Sequence, residues 1–125
     1  MIDENNAIQQ LQSGMLNKAL FVMSRVFPRP EDLPKHIPEH LEWMISMEKD
    51  GCIFAAGPFV DRHGKLAGGS MIIFRANSYA HARSIGEEDP LVQKGLVAYE
   101  LREWRLMEGR MSFTVDFSDQ DVRFD

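Results

Sequence analysis

Proline and glycine divide residues 18–107 into short apolar segments, each long enough for one helix or one strand. The first segment, "KALFVMSRVF" at 18–27, is bulky and apolar and is ended by "PRPEDLP", which predicts a buried strand. The next segment predicts a helix that begins within 32–38 and ends at Asp50-Gly51, because glycine commonly supplies the left-handed cap after a helix. The chain is therefore expected to begin its fold with a strand followed by a helix.

The predicted helix carries a histidine on its apolar side. Period-3.6 spacing predicts an inward face formed by Ile37, Leu41 and Met44. Ile45 and Met47 lie towards the edges of this face. His40 lies three residues after Ile37 and four before Met44, so it borders the buried face and not the solvent. A leucine would fold as well at this position, and the titratable ring therefore calls for an explanation.

Further elements follow this helix and are separated by clear turn signals. They are a strand at 52–57 stopped by Gly57-Pro58, a polar connection at 60–69, a strand at 70–76, a helix capped by Asn77, and a strand at 97–107. Asp89-Pro90 predicts an N-cap followed by a first-turn proline, which adds one or two helical turns. The order β-α-β-β-α-β predicts a ferredoxin-like α+β fold with an antiparallel sheet and both helices on one face.

The second face of this sheet would lack a cover within the chain. Apolar residues alternate on both sides of the predicted strands, so a second layer is needed to bury them. An identical subunit is the economical choice, and we expect a homodimer.

Both ends of the chain lie outside this pattern. Residues 1–15 offer little to bury and predict a flexible arm or a short extra helix, leaving 16–125 as a single domain. Residues 108–125 form a C-terminal extension in which apolar residues alternate strictly at Met111, Phe113, Val115 and Phe117. This alternation predicts an extra, half-buried strand joined to the preceding one.

Charge and composition argue against several classes of protein. The net charge of −5 is spread along the chain, which argues against nucleic acid or an anionic membrane as a partner. No apolar run approaches the length of a bilayer span, and the acidic N-terminus is unlike a secretory leader. The single Cys52 can form neither an internal disulfide nor a structural zinc site, so a cytoplasmic location is expected.

Four segments in this order resemble the YciI-like (YCII-related) proteins of the dimeric α+β barrel superfamily. The segments are "HLEWM" (40–44), "DGCIFAAGPF" (50–59), "GGSMIIF" (68–74) and "DPLVQKGLV" (89–97). The resemblance covers about residues 18–107 and implies a dimeric ferredoxin-like barrel.

The resemblance also implies a site. The family's helix histidine and the aspartate of its Asp-Pro step correspond to His40 and Asp89, and its serine at the start of the third strand corresponds to Ser70. The enzymes that this family resembles are dehydrochlorinases or lactone-processing enzymes, which move protons on small cyclic substrates without a metal or another cofactor. The implied chemistry is general acid–base catalysis by His40, oriented by Asp89, on a small-molecule ligand.

Other candidates are weaker. Gly57 and Pro58 end the second strand, and Asp61 follows them, so all three are candidates for lining a substrate pocket. His36 and His40 have a spacing that can clamp zinc, but Pro38 between them and the missing further ligands argue against a metal site.

Alternatives remain at this stage. His40 can be a structural histidine bonded to a carbonyl group, and Asp89 can be a simple N-cap. The same fold can serve as a non-catalytic module that binds a small molecule or holds a dimer together. A heme- or metal-using barrel would need an axial ligand, and only His40 is suitably located for that role.

Overall fold

The computed structural model of the protein describes residues 3–124. Its α-helices are α1 (Glu4–Gln12), α2 (Ile37–Lys49), α3 (Tyr79–Gly86) and α4 (Pro90–Gln93). Its strands are β1 (Lys18–Val26), β2 (Ile53–Val60), β3 (Leu66–Phe74), β4 (Ala98–Leu106), β5 (Phe113–Val115) and β6 (Val122–Phe124). Two short 3-10 helices, Pro30–Asp32 and Pro34–His36, precede α2.

The described chain divides into two compact units. The central unit is Ala19–Arg105, and the segments on either side of it in sequence form the other unit. The central unit contains a four-stranded sheet in the order β2-β3-β1-β4, with β3 antiparallel to both β1 and β2. This topology confirms the predicted ferredoxin-like α+β fold.

One apolar cluster joins the sheet to its helices. Its centre is made by Phe21, Met23, Ile72, Phe74 and Leu101 of the sheet together with Ala82 and Ile85 of α3. Met44 and Met47 of α2 pack against the same cluster, so α2 and α3 lie on one face of the sheet, as predicted. Full burial of side chains such as Phe74 contributes about 1.5–3 kcal/mol each to folding.

The edge strand β2 is longer than the sequence indicates. Gly57-Pro58 was expected to stop it, but the strand continues to Val60, and β3 already begins at Leu66. Pro58 pairs with Ser70, and in the part of the chain that the structure describes β2 has no neighbour on its other side. An edge strand tolerates proline because the missing N–H group is not needed by a second partner. The polar connection is therefore shorter than the predicted 60–69.

Two local predictions are wrong. Ser78, not Asn77, caps α3, because its side chain accepts the hydrogen bond from the backbone N–H of His81. The inward face of α2 is rotated from the predicted one: Leu41 is 51% exposed, whereas His40 lies on the sheltered side with Met44 and Met47. His40 therefore belongs to the sheltered face itself and not to its border.

The second unit combines a helix and a β-hairpin. Helix α1 is capped by Asp3, whose Oδ1 accepts from the Asn6 N–H at 2.8 Å. The predicted C-terminal strand is present only over Phe113–Val115, its side chains are exposed, and it pairs with β6 in a separate two-stranded sheet instead of with the preceding strand. The sequence missed β6, because only three residues alternate there.

The longest of the described helices, α2, has 13 residues. Over residues 3–124, every helix is too short or too polar to cross a bilayer.

Candidate functional site

Asp89 is the centre of a buried polar network. It precedes the first-turn proline of α4 and caps this helix, accepting the Leu91 N–H at Oδ1 with a donor–acceptor distance of 2.9 Å. Its side chain is 0% exposed. An aspartate that served only as a cap could remain in water, so its complete burial requires additional partners.

The first of these partners is His40 on α2. Its Nδ1 lies 2.9 Å from Asp89 Oδ1 and 3.0 Å from Oδ2, so the ring nitrogen is shared between the two oxygens. The His40 side chain is 16% exposed. Helices α2 and α4 pack against each other, and this packing holds the imidazole over the carboxylate.

The second partner, Arg25, was missed by the sequence analysis. It lies on β1, its side chain is 1% exposed, and its Nη1 donates to Asp89 Oδ2 at 2.6 Å. The sequence signal was the arginine near the end of "KALFVMSRVF", in a strand pattern where charged residues are expected to face solvent. The structure shows the opposite, because Arg25 lies on the helix side of the sheet in register with Ser70.

The three donors determine the charge of Asp89. Burial by itself raises the pKa of this carboxyl, but the hydrogen bond from His40, the positive charge of Arg25 and the Leu91 N–H act in the opposite direction and hold the pKa below its ordinary value. Asp89 is therefore ionised at neutral pH, and it can only accept hydrogen bonds. It follows that Nδ1 of His40 carries the proton in this contact, while Nε2 is the nitrogen left for other chemistry.

A cavity of about 950 Å³ adjoins this network within the central unit. Its walls are residues 56–58 of β2, residues 66–72 of β3, and the α2 side chains Ile37, His40, Leu41 and Met44, and further apolar residues complete the lining. Among the described side chains that line it, only those of His40 and Ser70 bear nitrogen or oxygen. An apolar cavity with a few polar groups is typical of small-molecule sites.

Two glycines shape the wall formed by β3. Gly68 and Gly69 both have positive φ, at 85° and 88°. A Cβ atom at Gly69 would collide with the carbonyl group of Arg25, so glycine is required for β3 to approach β1 at this level. The close approach positions Ser70 and Arg25 side by side on the face that carries the cavity.

The structure groups most of the residues singled out in the sequence. His40, Ser70, Gly57 and Pro58 line the cavity, and Asp89 lies directly behind His40. Asp61 is not part of the lining. Its Oδ1 accepts the backbone N–H groups of His63 and Lys65 at 2.8 and 3.1 Å, which stabilises the turn between β2 and β3.

The two histidines near the start of α2 have different partners. Nδ1 of His36, which precedes α2, lies 3.5 Å from Glu39 Oε1 in the first turn of α2, whereas Nδ1 of His40 is engaged with Asp89. In the part of the chain that the structure describes, residues 3–124, no group of three His, Cys, Asp or Glu side chains has a metal-binding arrangement.

Residues 19–105 match the YCII-related domain. The chain belongs to the YCII-related domain family. This match confirms the resemblance drawn from the sequence and coincides with the central unit of the structure.

Two relatives illustrate the similarity. The uncharacterised protein YjpA of Bacillus subtilis (strain 168) is 31% identical over 72 residues, which are 58% of this chain and 79% of YjpA. The solved structure of 5-chloro-2-hydroxyhydroquinone dehydrochlorinase (TftG) from Burkholderia phenoliruptrix AC1100, in complex with 2,5-dihydroxybenzoquinone, matches with a TM-score of 0.57. The sequence identity is 24%, and the match covers 68% of this chain and 92% of TftG. This second likeness shows a shared fold.

Proposed function

We propose that this YCII-related protein is a small acid–base enzyme that moves a proton on a ring-shaped organic substrate, with His40 as the proton-transferring group. The single observation that carries the proposal is the contact of His40 Nδ1 with the buried Asp89 carboxylate at 2.9 and 3.0 Å, at the wall of a cavity.

The contact supports this role through the tautomer that it selects. An ionised Asp89 accepts a hydrogen bond from the Nδ1–H group, so Nε2 keeps its lone pair and can take a proton from a substrate. When Nε2 is protonated, the nearby carboxylate stabilises the imidazolium, as in other His–Asp pairs. His40 can then return the proton at another position of the ring.

The cavity supports a substrate that is recognised by its apolar faces and by hydrogen bonds. Among the described residues, its lining contains no Lys, Arg, Asp or Glu side chain, so apolar contacts and the polar groups of His40 and Ser70 would hold the ring. The Ser70 hydroxyl is available to orient a substrate oxygen, and Gly57 and Pro58 contribute to the wall formed by β2. A hydroxylated ring, apolar on its faces and polar at its edge, fits these properties.

The fold match suggests a concrete substrate class. TftG is a 5-chloro-2-hydroxyhydroquinone dehydrochlorinase. We propose that this chain likewise catalyses elimination, such as loss of HCl, or isomerisation of a hydroxylated and halogenated ring. Such a reaction requires proton transfer and consumes no cofactor.

Chloride release from 5-chloro-2-hydroxyhydroquinone tests the proposal. The unaltered protein should release chloride faster than buffer does, and His40→Gln should lower the rate by about 10²–10⁴-fold, the usual contribution of a general acid–base group. Asp89→Asn should also lower it, because the tautomer is no longer fixed. His63→Gln, at an exposed loop histidine, is the matched control and should retain full activity. Full activity of His40→Gln would contradict the proposal.

A non-catalytic ligand-binding module is the second candidate. The predominantly apolar lining, with its two polar side chains, favours it because such a cavity binds a small molecule whether or not a reaction follows. Binding of 2,5-dihydroxybenzoquinone, measured by calorimetry, together with no chloride release above buffer would support this candidate over the enzyme.

A further inference from the structure

Arg25 is a buried cation that the proposed proton transfer does not use directly. It is 1% exposed, does not line the cavity, and lies on the central strand β1. Removing a guanidinium from water carries a large desolvation penalty, as for any buried ion. The penalty is offset only when the geometry of the ion pair and the remaining hydrogen bonds are good.

The remaining hydrogen bonds of Arg25 are incomplete. Nη1 donates to Asp89, but Nε and Nη2 are buried and have no hydrogen-bond partner among the residues described. The Phe27 ring lies 5.7 Å from the guanidinium carbon and offers an additional, weaker interaction. Each unpartnered buried donor is unfavourable, and a buried ion pair that is replaced as a whole by apolar side chains is often as stable or more stable. Stability alone therefore does not account for the buried pair of Arg25 and Asp89.

The geometry at Asp89 gives a different reason. Arg25 holds Oδ2 and the Leu91 N–H holds Oδ1, so the two donors fix the rotation of the carboxylate from opposite sides. His40 Nδ1 then meets both oxygens at nearly equal distances. Without Arg25, the carboxylate would be held by the Leu91 N–H and the His40 ring alone, and its rotation about the Cβ–Cγ bond would be less restricted.

We infer that Arg25 is a positioning residue that acts through Asp89, fixing the orientation and the charge of this carboxylate so that His40 is kept in the tautomer with a free Nε2. The inference rests on the proposed function for its importance, but it concerns a property of the resting protein. It can therefore be tested without turnover.

The charged groups around Asp89 are few among the described residues. Arg25 approaches from β1, His40 from α2, and the Leu91 N–H from α4 itself. The other ion pair between α2 and α4, Lys94 with Glu39, is at the surface, where both side chains are at least 40% exposed. Arg25 therefore supplies the permanent positive charge in contact with this carboxylate.

Nuclear magnetic resonance of the unliganded protein tests the inference by two readouts. The first is the pH titration of the Asp89 carboxyl ¹³C signal, assigned with Asp89→Asn. The second is the ¹⁵N shift of each His40 ring nitrogen at pH 8, assigned with His40→Gln, which reports the tautomer. In the unaltered protein, Asp89 should remain ionised at pH values below the ordinary pKa of an aspartate. The His40 ring should carry its proton at Nδ1 alone.

Two uncharged replacements probe Arg25. In Arg25→Met, the proton affinity of Asp89 should rise about tenfold or more, since an opposite charge at this distance lowers a carboxyl pKa by about one to three. Asp89 stays ionised at pH 8, but a carboxylate that can rotate away from Nδ1 should leave His40 with a mixture of tautomers. In Arg25→Gln, Asp89 should respond in the same way, and Arg25→Lys should restore both readouts at least in part. Circular dichroism establishes which of the uncharged variants is folded, and either one carries the test.

Arg75, the residue directly after β3, is a matched control. Its Nη1 donates to the Ile53 carbonyl group, away from Asp89. Arg75→Met should leave both readouts unchanged. The inference is overturned if a folded uncharged Arg25 variant keeps the native Asp89 titration and a single His40 tautomer. Because neither readout requires a substrate, absence of chloride release would count against the proposed function alone.

Discussion

At the scale of single residues, the account depends on one buried carboxylate. Asp89 collects donors from three elements: Arg25 on β1, His40 on α2 and the Leu91 N–H on α4. Because the donors together outweigh the effect of burial, the pKa of Asp89 is lower in the folded protein than in the unfolded chain. This difference makes the stability of the fold depend on pH.

Asp89→Asn should destabilise the protein at neutral pH. Removing one partner of a buried ion pair leaves Arg25 without its counter-charge, and we expect a loss of about 3–5 kcal/mol in the free energy of unfolding at pH 7. A group with a depressed folded pKa stabilises the fold above its unfolded pKa, about 3.9 for aspartate, and the contribution is lost as the pH falls through the folded value. The difference between the two proteins should therefore shrink below about pH 4.

Urea unfolding at a series of pH values measures this difference. Asp61→Asn is the control. Asp61, like Asp89, accepts hydrogen bonds from backbone N–H groups, two in this case, but it is exposed in a loop. It should cost about 1 kcal/mol, the typical value of a hydrogen bond. Equal losses in both variants, or a loss in Asp89→Asn that does not change with pH, would contradict the role assigned to the buried network.

At the scale of secondary-structure elements, the site depends on how closely β3 approaches β1. The row Pro58–Ser70–Arg25 crosses three strands, and Gly69 lies next to it. At Gly69 the positive φ and the nearby Arg25 carbonyl group leave no room for a side chain. The position of Arg25 under Asp89 is therefore linked to this glycine.

Gly69→Ala should weaken the fold and disturb the site. The left-handed conformation alone costs about 1–2 kcal/mol for a residue with a Cβ atom, and the collision with β1 adds to it, so we expect a total loss of about 3 kcal/mol or more. Gly57→Ala is the control, because a Cβ atom at Gly57 meets nothing within 4 Å. It should change stability by less than about 0.5 kcal/mol. Similar urea midpoints for the two variants would contradict this interpretation.

The sequence predicted the elements better than it predicted their contacts. The fold order, the cap at Asp89 and the sheltered His40 follow from local patterns of turn residues and helical period, and the structure has all three. Arg25 was missed because a charge in a strand pattern is normally solvent-facing, and only the tertiary partner Asp89, 64 residues away, reverses this. The exposure of Leu41 likewise depends on which side of α2 the sheet selects.

At the scale of the whole molecule, the YCII-related domain accounts for the central unit, and the segments before and after it form a compact unit of their own. The alternation of apolar residues in the C-terminal extension predicts a half-buried strand joined to the preceding strand. The structure instead pairs β5 with β6, and Phe113 contacts Phe124 edge to face at 6.0 Å. The homodimer expected from the second face of the main sheet stays a prediction.

The central claim is that the intact protein moves a proton on a ring bound beside His40. The most direct measurement is exchange of the ring C–H protons of 2,5-dihydroxybenzoquinone with solvent deuterium, followed by ¹H nuclear magnetic resonance. Exchange requires both removal and return of a proton, which are the two steps assigned to His40, and it requires no leaving group. The account predicts faster exchange with the unaltered protein than in buffer, and the buffer rate with His40→Gln. Exchange at the buffer rate with the unaltered protein at saturating ligand would contradict it.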